Sequence, residues 1–439
     1  MPSKKKDSAP LKVLTDGGRA AKARLARLTG RGTGAASVDR EVARIISSVR
    51  RHGDRALLAH TKRLDGVAMR ARDIEVGKDE IAAARSSLPR STRTALARAK
   101  RRIERFHRAQ LERGYTVREP GLVTSMRVSA LARVGVYVPG GRAAYPSTVL
   151  MNIVPARVAG VADITVVTPP AAGGIAAEVL AAAEMAGATR VLQVGGAQAV
   201  AALAYGTETV RPVDKVVGPG NQWVAAAKRS VFGKVDIDMI AGPTEVLVIA
   251  DSSARPAWVA ADMLAQAEHD PMAAALCLTT SRRVAERVTA ELGRQLAGLG
   301  RRSVAARSIR DYGAVVVVPS LERATELANQ LAPEHVEIMT AQASRLAAKV
   351  RNAGAIFIGP YATEPLGDYA AGPNHVLPTG GTARFSSPLG VYDFLKRTSI
   401  IEVRRRGLEE LAGTVVELAG REGLEAHARA VAMRVEDGD

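Results

Sequence analysis

Short apolar segments alternate with helical segments along residues 133–358, and this alternation constrains the fold more than any other feature of the chain. The apolar segments are three to six residues long and rich in Val, Ile and Leu. Strands that alternate with helices at this spacing are typical of a parallel sheet, and strands this apolar are expected to be covered on both faces. The sequence therefore predicts an α/β protein.

The alternation falls into two sets, which meet near residues 238–242. The predicted strands of the first set are 134–138, 164–167, 191–194 and 215–217, with helices at 147–161, 175–186, 197–204 and 221–231. In the second set the strands are 245–250, 274–279, 314–318, 336–339 and 355–358, with helices at 257–268, 284–297, 321–331 and 343–350. Two α/β units are therefore predicted, and the cleft between such units is a favoured ligand site.

The segments outside these units have other patterns. Apolar residues recur at three- and four-residue steps from residue 38 onward, which predicts helices; further helices are expected near Asp79 and after Ser91, with these two residues as caps. Residues 73–76 form a possible short strand. Residues 360–397 predict a long loop of functional importance, and residues 407–433 predict two short helices.

Composition excludes several classes of protein. No run of 18 apolar residues exists, and the lysines of Met1–Pro10 precede no apolar stretch, so we expect a frayed tail, no membrane span and a cytoplasmic location. The single cysteine, Cys277, excludes disulfides and thiolate zinc sites within one chain. Its apolar neighbours favour an inert strand residue over a nucleophile.

The net charge of +18 is concentrated near the N-terminus. Residues 1–120 contain 30 Lys and Arg against 13 Asp and Glu, so this third of the chain carries nearly the whole excess. No aromatic platform or zinc-finger pattern accompanies the basic residues. A solvated basic face is the favoured interpretation, and a polyanion-binding role stays open as a rival.

Four places in the second half could carry chemistry. Gln266 and His269 share one helix face and could hold a metal, although a solvated helix end has the same pattern. Glu334 and His335 could supply two bases to one reaction centre, or merely cap and brace a connection. Asp368 is a candidate hard anionic ligand, and the segment Glu422–His427 offers another carboxylate and imidazole. We interpret His375 as a loop-bracing residue and His52, His60 and His107 as surface residues.

Glycine-rich turns follow three predicted strands of the first unit and precede helices. They are Pro-Gly-Gly (139–141), Gly-Gly-Ala-Gln (195–198) and Gly-Pro-Gly-Asn (218–221). Backbone N–H groups at the starts of such helices can bind phosphates. The turns therefore suggest a nucleotide, although no Gly-x-Gly-x-x-Gly motif is present.

Taken together, these motifs resemble the histidinol dehydrogenase family over about 300 residues. The matching segments are Val-Gly-Val-Tyr-Val-Pro-Gly-Gly (134–141), Val-Gly-Gly-Ala-Gln-Ala (194–199), Gly-Pro-Gly-Asn (218–221), Ile-Ala-Gly-Pro-Thr-Glu-Val-Leu-Val-Ile-Ala-Asp (240–251), Gln-Ala-Glu-His-Asp (266–270), Ala-Pro-Glu-His-Val-Glu (332–337), Gly-Asp-Tyr-Ala-Ala-Gly-Pro-Asn-His-Val-Leu-Pro-Thr (367–379) and Glu-Gly-Leu-Glu-Ala-His (422–427). The N-terminal third matches only in its helical character.

The resemblance implies a set of site residues. The implied zinc ligands, one ion per subunit, are Gln266, His269, Asp368 and His427. The implied substrate contacts are Thr244, Gln266, His269, His335, Asp368, Glu422 and His427, and the implied NAD contacts are Tyr137, Gln198 and Asn221. Relatives often have Ser at the position of Thr244, and the hydroxyl is retained here.

The resemblance also implies the reaction, the last step of histidine biosynthesis. L-histidinol is oxidised through L-histidinaldehyde to L-histidine with two NAD⁺. His335 would take the alcohol proton, Glu334 would activate water on the aldehyde, and zinc would mainly orient the substrate. A paralogue that oxidises another polar alcohol is the rival within enzymes.

The implied architecture is two Rossmann-like parallel-sheet units with helical terminal segments in an intertwined homodimer. The expected divisions are a tail and helix (1–30), a helical segment joining the second unit (31–132), the NAD-side unit (133–240), the zinc and catalytic unit (241–380), and a C-terminal segment (381–439). This last segment would contribute Glu422 and His427 to the partner's site. No nucleic acid or membrane partner is expected.

Overall fold

The computed structural model describes residues 11–29, 36–140 and 144–436. The tail expected over Met1–Pro10 lies outside these residues. The described chain begins with the following elements: β1 (Val13–Thr15), α1 (Arg19–Thr29), α2 (Ala36–Asp65), a 3₁₀ turn (Ala71–Asp73), α3 (Lys78–Ser87) and α4 (Arg90–Arg108). Helices α3 and α4 begin directly after Gly77 and Pro89, so the predicted caps Asp79 and Ser91 lie inside the first turns. The predicted strand at 73–76 is a single antiparallel bridge between Glu75 and Leu192.

A hairpin leads into the first α/β unit. The hairpin is β2 (Tyr115–Glu119) and β3 (Leu122–Ala130), and the unit contains β4 (Arg133–Tyr137), α5 (Pro146–Ala159), β5 (Asp163–Val167), α6 (Ala177–Ala186), β6 (Arg190–Leu192), α7 (Gly196–Tyr205), β7 (Lys215–Val217), α8 (Gln222–Val231) and β8 (Asp236–Ile237). Its five strands are parallel in the order β6-β5-β4-β7-β8. The strand order reverses between β4 and β7, which is where open α/β sheets bind ligands.

The second α/β unit repeats this topology. It contains β9 (Glu245–Ala250), α9 (Pro256–Ala267), β10 (Ala274–Thr279), α10 (Arg282–Leu296), α11 (Arg302–Tyr312), β11 (Ala314–Val317), α12 (Leu321–Leu331), β12 (His335–Met339), α13 (Ala343–Ala347) and β13 (Ala355–Ile358). The parallel order is β1-β11-β10-β9-β12-β13, so the N-terminal strand extends this sheet at its edge. All six residues of β9 and of β10 are buried, because helices cover both faces of the sheet.

The C-terminal part leaves the α/β rhythm. It contains α14 (Glu364–Tyr369), 3₁₀ turns at Thr382–Arg384 and Val391–Phe394, β14 (Leu395–Val403), α15 (Arg405–Arg421) and α16 (Glu425–Glu436). Strand β14 pairs antiparallel with β3 along its whole length, from Leu395 opposite Ala130 to Val403 opposite Leu122. Helices α15 and α16 pack against each other, in agreement with the predicted helical pair.

The N-terminal helices pack on the first unit. Val42 of α2 lies in one apolar core with Leu203 of α7 and Val224 of α8, while Ile103 of α4 lies in a second core with Val149 of α5. The expectation that residues 31–132 join the second unit is therefore wrong for these helices: their apolar stripes cover the helices of the first sheet. The other domain limits remain predictions.

Among the described helices, none combines the length and the apolar character needed to cross a membrane.

Candidate active site

A polar cluster lies at the amino ends of two neighbouring strands of the second sheet. Thr244 directly precedes β9, and Glu334 and His335 lie at the start of β12, which pairs with β9. The carboxyl ends of β4 and β7 in the first sheet face this cluster across a cavity of about 260 Å³. The lining residues include Pro139, Tyr145, Gly218, Thr244, His269, Glu334, His335, Asp368 and His375. The site thus combines the carboxyl ends of the strands in the first sheet, where parallel sheets usually bind ligands, with the amino ends of the strands in the second sheet.

A tight turn places Glu334 in the cavity. Ala332 ends α12 with φ 47°, a left-handed backbone conformation that residues other than glycine seldom adopt. The Glu334 carboxylate then accepts hydrogen bonds from the Glu245 N–H at 2.9 Å and from the Thr244 hydroxyl. Gln266 donates its side-chain N–H to the Thr244 oxygen at 2.6 Å. One hydrogen-bonded chain therefore orients Gln266, Thr244 and Glu334.

His335 is buried and offers one ring nitrogen to the cavity. Its Nδ1 lies 3.0 Å from the Glu245 carbonyl, which makes Nδ1 the donor. Its Nε2 has no hydrogen-bond partner among the described residues and lies 4.0 Å from the Asp368 carboxylate. Desolvation lowers the pKa of His335, partly opposed by the charge of Asp368. A neutral imidazole with a free Nε2 is suited to accept a proton.

Three side chains beside His335 place potential metal-ligand atoms close together. The candidate ligand atoms of His269, Glu364 and Asp368 all lie within 4.8 Å of one another. The predicted ligand Gln266 adds a buried Oε1 that has no hydrogen-bond partner in the described part of the chain. Desolvation lowers the pKa of His269, which favours the neutral ring that a metal needs. Nitrogen and oxygen donors of this kind suit Zn²⁺.

Glu364 is a site residue that our sequence reasoning missed. It is buried on α14, four residues before Asp368, so both side chains lie on one helix face. Burial, followed by the charge of Asp368, raises the pKa of Glu364 to about 10, and the two carboxyl groups are hydrogen-bonded. The spacing Glu364-x-x-x-Asp368 would have indicated two carboxylates on one helix face. Residues 360–397 were predicted to be a loop, so this spacing had no structural meaning there.

The predicted role is confirmed for His375 but is wrong for His107. The Nδ1 of His375 lies 2.9 Å from the Asp368 carbonyl, which agrees with a loop-bracing role. His107, expected at the surface, is instead fully buried and bonded to the Ile103 carbonyl at 2.8 Å. The apolar side of α4 faces α5, and His107 lies on that side.

Glu422 and His427 lie at the α15–α16 turn, and both are exposed to solvent. Their own chain does not bring them to the cavity, whose lining comes from the two α/β units and residues 368–379. Of the four predicted zinc ligands, the chain thus brings His269 and Asp368 together, places Gln266 against Thr244, which lines the cavity, and leaves His427 apart.

A second cavity, of about 820 Å³, lies at the carboxyl edge of the first sheet. Tyr137, Gln198 and Asn221, the three predicted NAD contacts, all line it. The Tyr137 hydroxyl accepts the Gly196 N–H at 3.1 Å, and burial raises the pKa of Tyr137 to about 12. Asn221 caps α8 by accepting the N–H groups of Trp223 and Val224. The three side chains are therefore held at the starts of helices around one space.

Asp65 is an unpredicted carboxylate in this second cavity. It comes from the end of α2 and accepts the Gln198 side-chain N–H at 3.1 Å. Burial raises its pKa to about 6. No motif in the sequence connects residue 65 with residue 198, so only tertiary packing reveals this contact.

Two doubly wound parallel sheets, a cavity at the switch point of the first and a base-bearing cleft between them define a nucleotide-dependent oxidoreductase. A family model described as histidinol dehydrogenase matches residues 29–435. The histidinol dehydrogenase of Aquifex aeolicus is 52% identical over 399 residues, covering 91% of this chain and 93% of the relative. That of Halalkalibacterium halodurans is 51% identical over 395 residues, covering 90% and 93%.

A solved structure agrees with these sequence matches. The histidinol dehydrogenase of Elizabethkingia anophelis superposes with a TM-score of 0.89 at 35% identity, covering 94% of this chain and 96% of that one. The chain belongs to the histidinol dehydrogenase family, the NAD-dependent dehydrogenases of histidine biosynthesis. The family resemblance inferred from the sequence motifs is confirmed.

Proposed function

We propose that this chain oxidises L-histidinol through L-histidinaldehyde to L-histidine, using two NAD⁺, in the cleft between its two α/β units. The observation that carries the proposal is the cavity in which His335 Nε2 and the Glu334 carboxylate face the donors of His269 and Asp368. Two bases beside a cation site suit an alcohol oxidation followed by hydration of an aldehyde.

His335 acts as the base of both oxidations. Its Nε2 takes the hydroxyl proton as hydride leaves the carbon, and takes a proton again from the aldehyde hydrate. The Glu245 carbonyl holds the ring in the tautomer with a free Nε2. Desolvation lowers the pKa of His335 and keeps it neutral near pH 7. NAD supplies the hydride acceptor.

Glu334 activates the water that adds to the aldehyde. Hydrogen bonds from Thr244 and Glu245 orient its carboxylate. The hydroxyl of Thr244 is the group that makes these contacts: it donates to Glu334 and accepts a hydrogen bond from Gln266. His335 Nδ1 lies 3.6 Å from the Glu334 carboxylate, so the two side chains are direct neighbours in the site.

Gln266, His269, Asp368 and His427 hold the zinc ion, one per subunit. Two of them, His269 and Asp368, carry donor atoms that converge with those of Glu364 beside His335, and the Gln266 Oε1 is buried without a partner among the described side chains. Zinc, when bound, supplies a Lewis acid that orients the polar groups of the substrate. The remaining substrate contacts are Thr244, His335 and Glu422.

His427 and Glu422 reach the site of the partner subunit in a homodimer with exchanged C-terminal segments. On its own chain the segment β14–α16 leaves apolar side chains in water, including Ile401 at 68% and Leu418 at 58% exposure. A second copy would cover such a surface and supply the missing ligand. The NAD contacts Tyr137, Gln198 and Asn221 stay within the subunit.

The whole scheme is tested by counting NADH per product. With histidinol and excess NAD⁺, the purified protein is expected to release two NADH for each histidine formed, because alcohol and aldehyde are both oxidised at one site. A ratio of one, with aldehyde accumulating, would contradict the second oxidation. Other amino alcohols serve as control substrates, and faster turnover of one of them would favour the paralogue alternative.

A further inference from the structure

Behind the active site, two buried carboxyl groups from different elements contact each other. Asp262 lies on α9 and Glu337 on β12. Glu337 is fully buried, Asp262 is 9% exposed, and each of the two carboxyl groups affects the pKa of the other. The roles proposed above use neither group.

Each of the two carboxyl groups also binds the start of α14. The Thr363 hydroxyl donates to Asp262 Oδ1 at 2.7 Å. The Glu364 backbone N–H donates to Glu337 Oε1 at 2.7 Å. The pair therefore joins α9, β12 and α14 at a single point in the interior.

The spacing along each element connects this point to the site. Asp262 precedes Gln266 by four residues on one helix face. Glu337 follows His335 by two residues, so both side chains lie on the same face of the sheet. Thr363 and Glu364 begin the helix that carries Asp368. A shift at the pair would thus move a proposed metal ligand or the proposed base on every one of these elements.

We propose that Asp262 and Glu337 are positioning residues that fix α9, β12 and α14 in the relative arrangement by which Gln266, His335 and Asp368 share one site. The inference rests on the proposed zinc and base roles of those three residues and adds the device that aligns them.

The protonation of the pair supports this role. Burial and the neighbouring charge of Asp262 raise the pKa of Glu337 well above its usual range, and burial raises that of Asp262. A neutral Glu337 can donate its proton to Asp262, while its Oε1 accepts the Glu364 N–H. A glutamine side chain can make the same two bonds, because it also carries one donor group and one acceptor.

The decisive comparison is Glu337→Gln against Glu337→Met. Glutamine is expected to keep zinc affinity and kcat within about threefold of wild type. Methionine leaves the Glu364 N–H and the Asp262 carboxylate without their partner, and is expected to lower zinc affinity by about 10–100-fold, the usual effect of losing an outer-sphere contact. Zinc affinity is measured by chelator competition on the metal-free protein, and kcat at saturating zinc.

A milder variant and a control variant distinguish a loss of positioning from a general folding defect. Thr363→Val removes only the hydroxyl bond to Asp262 and is expected to weaken zinc binding a few-fold with the melting temperature of the metal-free protein nearly unchanged. Thr325→Val removes a buried hydroxyl that bonds within its own helix α12, and is expected to change neither zinc affinity nor kcat. KM for NAD⁺ should stay constant throughout, because the first-unit cavity is distant from the pair.

The proposal is overturned if Glu337→Met and Thr363→Val bind zinc and turn over like wild type. It is also overturned if Glu337→Gln fails as badly as Glu337→Met, since hydrogen-bond geometry would then not be the property that matters. Absence of zinc from the wild-type protein would contradict the metal site instead. In that case kcat of the Gln and Met variants, which reports the position of His335, still decides the positioning role.

Discussion

His335 combines two properties that a general base near neutral pH needs. The Glu245 carbonyl binds Nδ1 and leaves Nε2 unpartnered among the described groups, while burial keeps the ring neutral. The sequence placed His335 beside Glu334 but could not tell a base from a bracing residue. The hydrogen bond that His335 donates to the carbonyl of Glu245, 90 positions earlier, leaves Nε2 available and supports the proposed role as a base.

Replacing His335 with Asn tests the base directly. His335→Asn is expected to lower kcat by about 10²–10⁴, the usual scale for a lost general base, because the other two histidines that line the cavity have other roles: His269 is a proposed zinc ligand and His375 braces a loop. Zinc content should stay normal, since His335 is not a proposed ligand. His52→Asn, at an exposed position, is the control, and full activity of the His335 variant in both oxidations would remove His335 from the mechanism.

Asp65 makes stability depend on pH. Its pKa is raised to about 6 in the folded chain, so the folded state binds the proton more tightly than the unfolded state and loses stability as pH rises through 6. Asp65→Asn removes this loss. Between pH 5 and pH 8 the variant is expected to gain about 1 kcal/mol relative to wild type, after allowance for the partial exposure of the carboxylate.

The measurement is the free energy of unfolding by denaturant at both pH values. Asp39→Asn, at a half-buried acid on the same helix that pairs with Arg229, serves as the control and should show no comparable pH-dependent gain. An equal pH dependence of wild type and Asp65→Asn would mean that Asp65 titrates normally.

At the scale of elements, most of the α/β repeat could be predicted from the sequence. Strands β9, β10 and β13 and helix α12 have the predicted bounds, because each is a compact apolar or amphipathic run between polar turns. Strands β3 and β14 were missed. Neither has a clean alternation of polar and apolar residues: β14 reads Leu-Lys-Arg-Thr-Ser-Ile-Ile-Glu-Val, and only its long-range pairing with β3 shows that both are strands.

The C-terminal end of α9 should control metal binding. Gln266 lies in its last turn, His269 lies two residues beyond the helix, and His269 belongs to the converging donor group. His269→Ala is expected to lower zinc affinity by more than the roughly 10–100-fold loss that follows removal of an outer-sphere contact, because a direct ligand disappears. Zinc per subunit after dialysis is the measurement. His60→Ala on α2 is the matched control, and unchanged zinc content would exclude His269 as a ligand.

At the scale of the whole molecule, the site described in one chain lacks Glu422 and His427. Both residues are exposed near the turn between α15 and α16, which pack against each other, and apolar side chains of α15 and β14 stay in water. The proposed exchange of C-terminal segments explains why exposed apolar side chains and missing site residues occur in the same part of the chain.

Subunit complementation tests the exchange. His335→Asn and His427→Ala should each be nearly inactive alone. Co-expressed, they are expected to recover about a quarter of wild-type activity, because half of the dimers are mixed and each mixed dimer contains one site with both native residues. Activity is measured on the purified mixture. If both residues came from one chain, no site in the mixture would be complete, and activity would stay at the level of the single variants.

The sequence by itself determined the two α/β units, the family and the composition of the candidate site, because apolar periodicity and short motifs are local properties. Tertiary structure decided the rest. It placed the proposed catalytic cluster at the amino ends of strands in the second sheet, brought Glu364 beside Asp368 and Asp65 beside Gln198, and joined Asp262 to Glu337. These contacts connect residues that are distant in the chain or hidden in a presumed loop, and no local pattern encodes which distant side chains share a buried space.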